Sequence, residues 1–162
     1  MRDTLLLGAE RIGHGVNLIT DPDTMLLMRN GPYMVEINLI SNLLLEYVQS
    51  YKQHPFPEYL RTGIPVALST DDRGMWDSDM TDEFYVAVKE FNLSWDEIVL
   101  LGRNSLKYSF LDAATKAKLM GEYDTRMANF AAQFQKKGVA ELAGTQPVTY
   151  NFICKHYKVC LP

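Results

Sequence analysis

Apolar positions along this chain follow two rhythms, and the switching between them sets the expected elements. Three short apolar runs bounded by Gly, Pro, Asp or Asn read as strands: Glu10-Arg11-Ile12-Gly13-His14-Gly15, Tyr33-Met34-Val35-Glu36-Ile37-Asn38 and Pro65-Val66-Ala67-Leu68-Ser69. Between the first two, Asp21-Pro22 opens an amphipathic stretch through Met25, Leu26 and Met28 that Asn30-Gly31 closes, which predicts a capped helix. A second helix is expected from about Asn42 to Ser50, and a short one after His54-Pro55-Phe56-Pro57, ended by Gly63. Strand, helix, strand, helix, strand predicts parallel pairing through right-handed crossovers, hence an α/β fold.

Beyond Asp72 the helical period takes over. Thr81-Asp82-Glu83 opens a helix ending near Asn92, Ser94-Trp95-Asp96-Glu97 is a capping box for the next, and a third runs from Ala113 to about Lys137, where Gly138 stops it. The first ten residues read as the end of a helix rather than as a signal peptide. Residues 1–137 are therefore expected to form one α/β unit, with residues 138–162 as a tail. Three parallel strands cannot close a barrel, so the unit reads as part of a larger sheet with open edges. Such a piece is expected to expose the apolar faces of Val35, Ile37, Val66 and Leu68, and to self-associate through its edges.

Composition narrows the function classes. With 162 residues, 47% of them hydrophobic, and a net charge of -4, the chain has the balance of a globular protein. It carries no basic stripe for nucleic acid, and its apolar runs fall far short of the ~20 residues that cross a bilayer. Localisation is open, with the cytoplasm as the default. Both cysteines, Cys154 and Cys160, lie near the C-terminus. They could bridge the tail after export, or join His156 in a Cys-x-His-x3-Cys cluster that lacks the paired spacing of a structural zinc site.

The candidate chemistry sits where strands end. Asp71-Asp72 follows the third strand, and adjacent side chains at such a point face opposite ways, so the two carboxylates can take different tasks. His14 ends the first strand between two glycines that leave room for close approach. Parallel strands end on one rim, so His14 and Asp71 are expected to converge. Glu36 reads as structural, Ser41-Asn42 as helix caps, His54 as a surface or capping histidine, and Phe84, Tyr85, Phe91 and Trp95 as helix packing. There is no Gly-rich phosphate loop or Ser-His-Asp pattern.

Arg11-Ile12-Gly13-His14-Gly15, Glu36 with Ser41-Asn42, His54-Pro55, Leu68-Ser69-Thr70-Asp71-Asp72, and Arg103-Asn104-Ser105 with Ser109-Phe110-Leu111 resemble, in order and spacing, the adenosine deaminase family. The resemblance covers roughly residues 9 to 135. It implies a (β/α)8 TIM barrel with one Zn2+ ion, of which this chain corresponds to the C-terminal portion, about the last three strands, followed by C-terminal helices. The implied reaction is hydrolytic deamination of adenosine or deoxyadenosine to inosine or deoxyinosine. By the same resemblance Asp71 is a zinc ligand that also engages the attacking water, Asp72 binds the purine, and His14 positions the zinc-bound hydroxide. The family's other zinc histidines and its proton-donating glutamate would lie upstream of Met1, so the chain reads as a fragment or truncated product lacking part of the site. Asn38-Leu39 and Arg73-Gly74 stand where the family more often has Cys-Pro and a proline. The alternatives are an inactive remnant or binding module, or a deaminase of AMP or adenine.

Overall fold

The computed structural model describes residues 1–144 and 152–159. The chain opens with helix α1 (Arg2–Leu6), then strand β1 (Arg11–Gly13), a 3-10 turn at Val16–Thr20, α2 (Pro22–Asn30) and β2 (Met34–Ile37). Helices α3 (Leu39–Leu44) and α4 (Phe56–Thr62) lead to β3 (Val66–Leu68), and a short α5 (Arg73–Trp76) follows. Then come α6 (Met80–Phe91), α7 (Trp95–Lys107), α8 (Ala113–Lys137) and α9 (Phe152–Tyr157).

The three strands form one parallel sheet in the order β1-β2-β3. Its register pairs Ile12 with Val35, Val35 with Val66 and Ile37 with Leu68, which puts these five side chains on one face. That face is covered: Val35, Ile37 and Val66 are fully buried and Leu68 is nearly so. The expectation of exposed strand faces is thus wrong for these four residues. Met28 of α2, Phe56, Tyr59 and Leu60 of α4, and Val86, Ala87 and Phe91 of α6 join them in one cluster, each large side chain contributing about 1.5–3 kcal/mol by burial.

Local caps explain which helices are regular. Asp21 accepts from the Thr24 N–H at the start of α2, and Asp79 with Asp82, then Ser94 with Glu97, close capping boxes on α6 and α7. Asp112 caps α8, which runs over the expected residues. Trp95 stacks on Phe130, and Phe91 meets Phe56 edge-on, so these aromatics pack elements together as expected.

The helix expected at residues 42–50 is displaced. α3 begins at Leu39 and ends at Leu44, and the chain then turns with Glu46 at φ 59, in the left-handed region. The segment expected as a tail also returns to the body, where Phe152 and Ile153 are buried and the Tyr157 hydroxyl donates to Glu90 at 2.9 Å. Residues 145–151 and Cys160 lie outside the described residues.

The outer edge of β3 is partly closed. Pro65 O and Ser69 N bond to β2, so the Val66 carbonyl points away from the sheet. Buried Asn104 of α7 donates its amide to that carbonyl at 2.9 Å.

Candidate active site

Because the strands run in one direction, the residues after their C-terminal ends share a rim. His14 follows β1, Asn38 follows β2, and Asp71 stands three residues beyond β3. His14 Nε2 lies 3.8 Å from Asp71 Oδ2, with the two side chains 29% and 28% exposed. The convergence expected from the strand ends is present. Asp71 has φ 51, unusual for a residue with a Cβ, and its carboxylate is pinned by Ser41, whose hydroxyl donates at 2.7 Å. Asp72, beside it, precedes α5 without a capping bond from its side chain and is exposed.

The loop carrying His14 is held from below. Gly15 has φ 73, and a Cβ there would come within 2.2 Å of Val35 Cγ1, so only glycine fits the turn. Fully buried Tyr59 accepts from the Ile19 N–H at 2.7 Å and donates toward the Gly15 carbonyl at 3.0 Å.

Behind His14 is a polar network that sequence reasoning misread. Ser41 and Asn42 do not cap a helix: they lie inside α3, fully buried, with side chains turned to the rim. The Asn42 amide sits 2.7 Å from His14 Nδ1 and 2.8 Å from His54 Nε2, and the Asn38 amide sits 3.0 Å from the same His14 nitrogen. His54 is not on the surface; it is 3% exposed, and its Nδ1 accepts the Phe56 N–H at the start of α4. Its capping role is as expected. Burial lowers its pKa to about 4, so the ring is neutral at physiological pH.

The cap of α3 comes from elsewhere. Glu83 of α6 is fully buried and accepts from the N–H groups of Leu39 at 2.9 Å and Ile40 at 3.2 Å. Desolvation pushes its pKa up to about 8, against the pull of those two donors. In sequence it is one more acidic residue in a helix's first turn, and nothing there points to α3.

A cavity of about 380 Å³ opens beside His14, lined by Asn17, Tyr47 and Met1 among others. The Tyr47 ring stands edge-on to His14 at 5.8 Å. Glu36 pairs with Arg11 at 2.9 Å, a structural arrangement as expected. Cys154 and His156 lie on α9, and the His156 ring stacks on Phe152. Among the described residues no group of three or more His, Cys, Asp or Glu could close around a metal ion. Asp71 and Asp72 offer carboxylates at the rim and His14 an imidazole, so the donors among the described residues fit part of a metal site and not a whole one.

The sequence model described as "Adenosine deaminase" matches residues 2–126. The aminodeoxyfutalosine deaminase of Streptomyces avermitilis is 34% identical over 126 residues, covering 78% of this chain and 35% of the relative. The adenosine deaminase of Enterococcus faecalis is 32% identical over 122 residues, covering 75% and 36%. Among solved structures, the adenine deaminase of Arthrobacter aurescens superposes with a TM-score of 0.71 at 30% identity, covering 75% of this chain and 37% of that one. The N6-methyl-AMP deaminase of Arabidopsis thaliana gives 0.67 at 28%, covering 76% and 36%. The chain thus spans about a third of the length of the curated relatives it matches. With the match running from α1 into α8 and taking in every strand of the sheet, the chain belongs to the adenosine deaminase family.

Proposed function

We propose that this chain carries one side of the active site of a hydrolytic deaminase that removes the exocyclic amine of adenosine or deoxyadenosine. The observation that carries the reading is the approach of His14 Nε2 to Asp71 Oδ2, 3.8 Å apart on the rim of a parallel sheet. Its three strands correspond to the last three staves of a (β/α)8 barrel. Asp71 is proposed as a zinc ligand and as a contact to the attacking water, His14 as the group that orients that water, and Asp72 as a contact to the purine. When bound, zinc would bring the pKa of a coordinated water toward neutrality. The chain's own part is geometric: Ser41 holds the Asp71 carboxylate in place, and Tyr59 and Gly15 fix the loop that presents His14.

The names of the relatives favour a second reading of the substrate, since an adenine deaminase and an N6-methyl-AMP deaminase are among the solved structures that superpose, and an adenosine deaminase is among the relatives that align. The common element of these substrates is a purine bearing nitrogen at its 6-position. The test uses the protein in its complete natural reading frame, assayed for zinc-dependent ammonia release from adenosine, deoxyadenosine, AMP and adenine. Adenosine is expected to react fastest, with Asp71→Ala lowering turnover by at least about a hundredfold. Residues 1–162 alone are expected to give no turnover. Ammonia release that survives Asp71→Ala overturns the proposal.

A further inference from the structure

Helix α9 lies past residue 126, where the family match ends, yet it packs back on α6. Its Phe152 and Ile153 are buried, and Phe152 joins the core cluster with Tyr157 packed against it. The Tyr157 ring meets Tyr85 of α6 edge-on at 5.4 Å, and its hydroxyl donates to Glu90 near the end of that helix at 2.9 Å. Lys155 pairs with Asp77, in the turn between α5 and α6. The short helix therefore lies alongside α6, and its side chains reach the segment that leaves Asp71-Asp72.

The first turn of α6 carries this contact toward the rim. Asp82 and Glu83 are neighbours there, both buried, and they serve different partners. Burial raises the pKa of Asp82, against the N–H groups of Asp79 and Ile153, which favour its charged form. The Asp79 N–H donates to Asp82 at 2.8 Å, closing the capping box. Glu83, one residue on, faces α3 and accepts from the Leu39 and Ile40 N–H groups that begin it. That same short helix bears Ser41, which donates to Asp71 Oδ2 at 2.7 Å, and Asn42, 2.7 Å from His14 Nδ1. The chain itself makes a second route. The Arg73 and Met75 N–H groups donate to the carbonyls of Asp71 and Asp72, and that of Ser78 to the Arg73 carbonyl, a run of tight turns that ends at the N-cap of α6. Both routes from the His14 and Asp71 pair meet at one helical turn, and α9 is packed on it.

We propose that α9 is a strap with Phe152 and Ile153 as its positioning residues: docked on the first turn of α6, it steadies Glu83 and Asp79, and through them holds α3 and residues 71–79 so that His14 and Asp71 keep their spacing. The proposal rests on the deaminase reading only for the reaction that this spacing serves. The test is hydrogen–deuterium exchange read by mass spectrometry on the protein in its complete natural reading frame, with and without residues 152–162. Their removal is expected to speed exchange by at least about tenfold in peptides covering residues 38–44 and 71–83, and to leave peptides over β1 and β2 unchanged. Phe152→Ala is expected to give the same pattern in weaker form, and Phe152→Leu, which keeps a large apolar side chain, to restore protection. Exchange over residues 38–44 and 71–83 that does not move, or a rise spread evenly over β1 and β2 as well, overturns the proposal. If the shortened protein does not fold, Phe152→Ala against Phe152→Leu decides by the same pattern. Exchange needs neither substrate nor metal, so a failed deaminase assay leaves the strap standing, and an unmoved exchange pattern leaves the deaminase reading standing.

Discussion

His54 shows how a single buried ring couples the site to solution pH. Its folded pKa, about 4, lies below the ordinary 6.5, so the folded state binds fewer protons than the unfolded chain between those values. The stability it supports is present above pH 6.5 and lost as pH falls toward 4, by about 3 kcal/mol in all. Urea unfolding across this range checks the slope, and His54→Gln is expected to flatten its acid side. His14 and Asp71 were legible in the sequence because strand ends fix their place. Asn42, Ser41 and His54 were not, because their roles depend on partners brought close from 28 and 30 residues away and through burial that spacing alone does not report.

At the scale of elements, legibility follows where the cap comes from. α6, α7 and α8 carry their N-caps within three residues of their first turns, and the sequence placed them well. α3 is capped by Glu83 from 44 residues away, so the local pattern put the helix three residues too late. Glu83 ties α6 to the element that bears Ser41 and Asn42. Glu83→Ala leaves the Leu39 and Ile40 N–H groups without their acceptor and is expected to cost about 2–4 kcal/mol, read by chemical denaturation, with Glu83→Gln costing less. The pH dependence has the opposite sign to that of His54. Glu83's pKa is raised from 4.5 to about 8, so its contribution is complete below pH 4.5 and falls away as pH rises toward 8. Glu83→Gln should therefore remove the alkaline decline in stability and lay bare the acid-side loss due to His54.

At the scale of the whole molecule, the covered face of the sheet leaves the expected self-association to rest on the sheet's edges alone. Within residues 1–162, β1 pairs only with β2 among the described strands, so in this stretch taken alone its outer edge offers hydrogen-bonding groups to another strand. Sedimentation velocity across a range of protein concentrations is expected to show reversible association, and a single monomeric species throughout would refute it. The parallel order of the strands was readable from the strand and helix alternation. The burial of their faces was not, because it depends on α2, α4 and α6 folding back together on the sheet, and α6 arrives only after the sheet is complete in sequence.

The Asn104 amide on the outward Val66 carbonyl makes the two margins of the sheet unequal. A strand joining beside β3 must first displace that amide, whereas among the described residues no side chain is seen bonded to the backbone of β1. Addition of β1 to β3, copy after copy, would build an open filament, but pairing of β1 with β1 about a twofold axis closes on itself. Asn104→Ala is accordingly expected to leave the Val66 carbonyl without its donor and to raise the tendency to associate at the β3 margin, read in sedimentation as larger species at equal protein concentration.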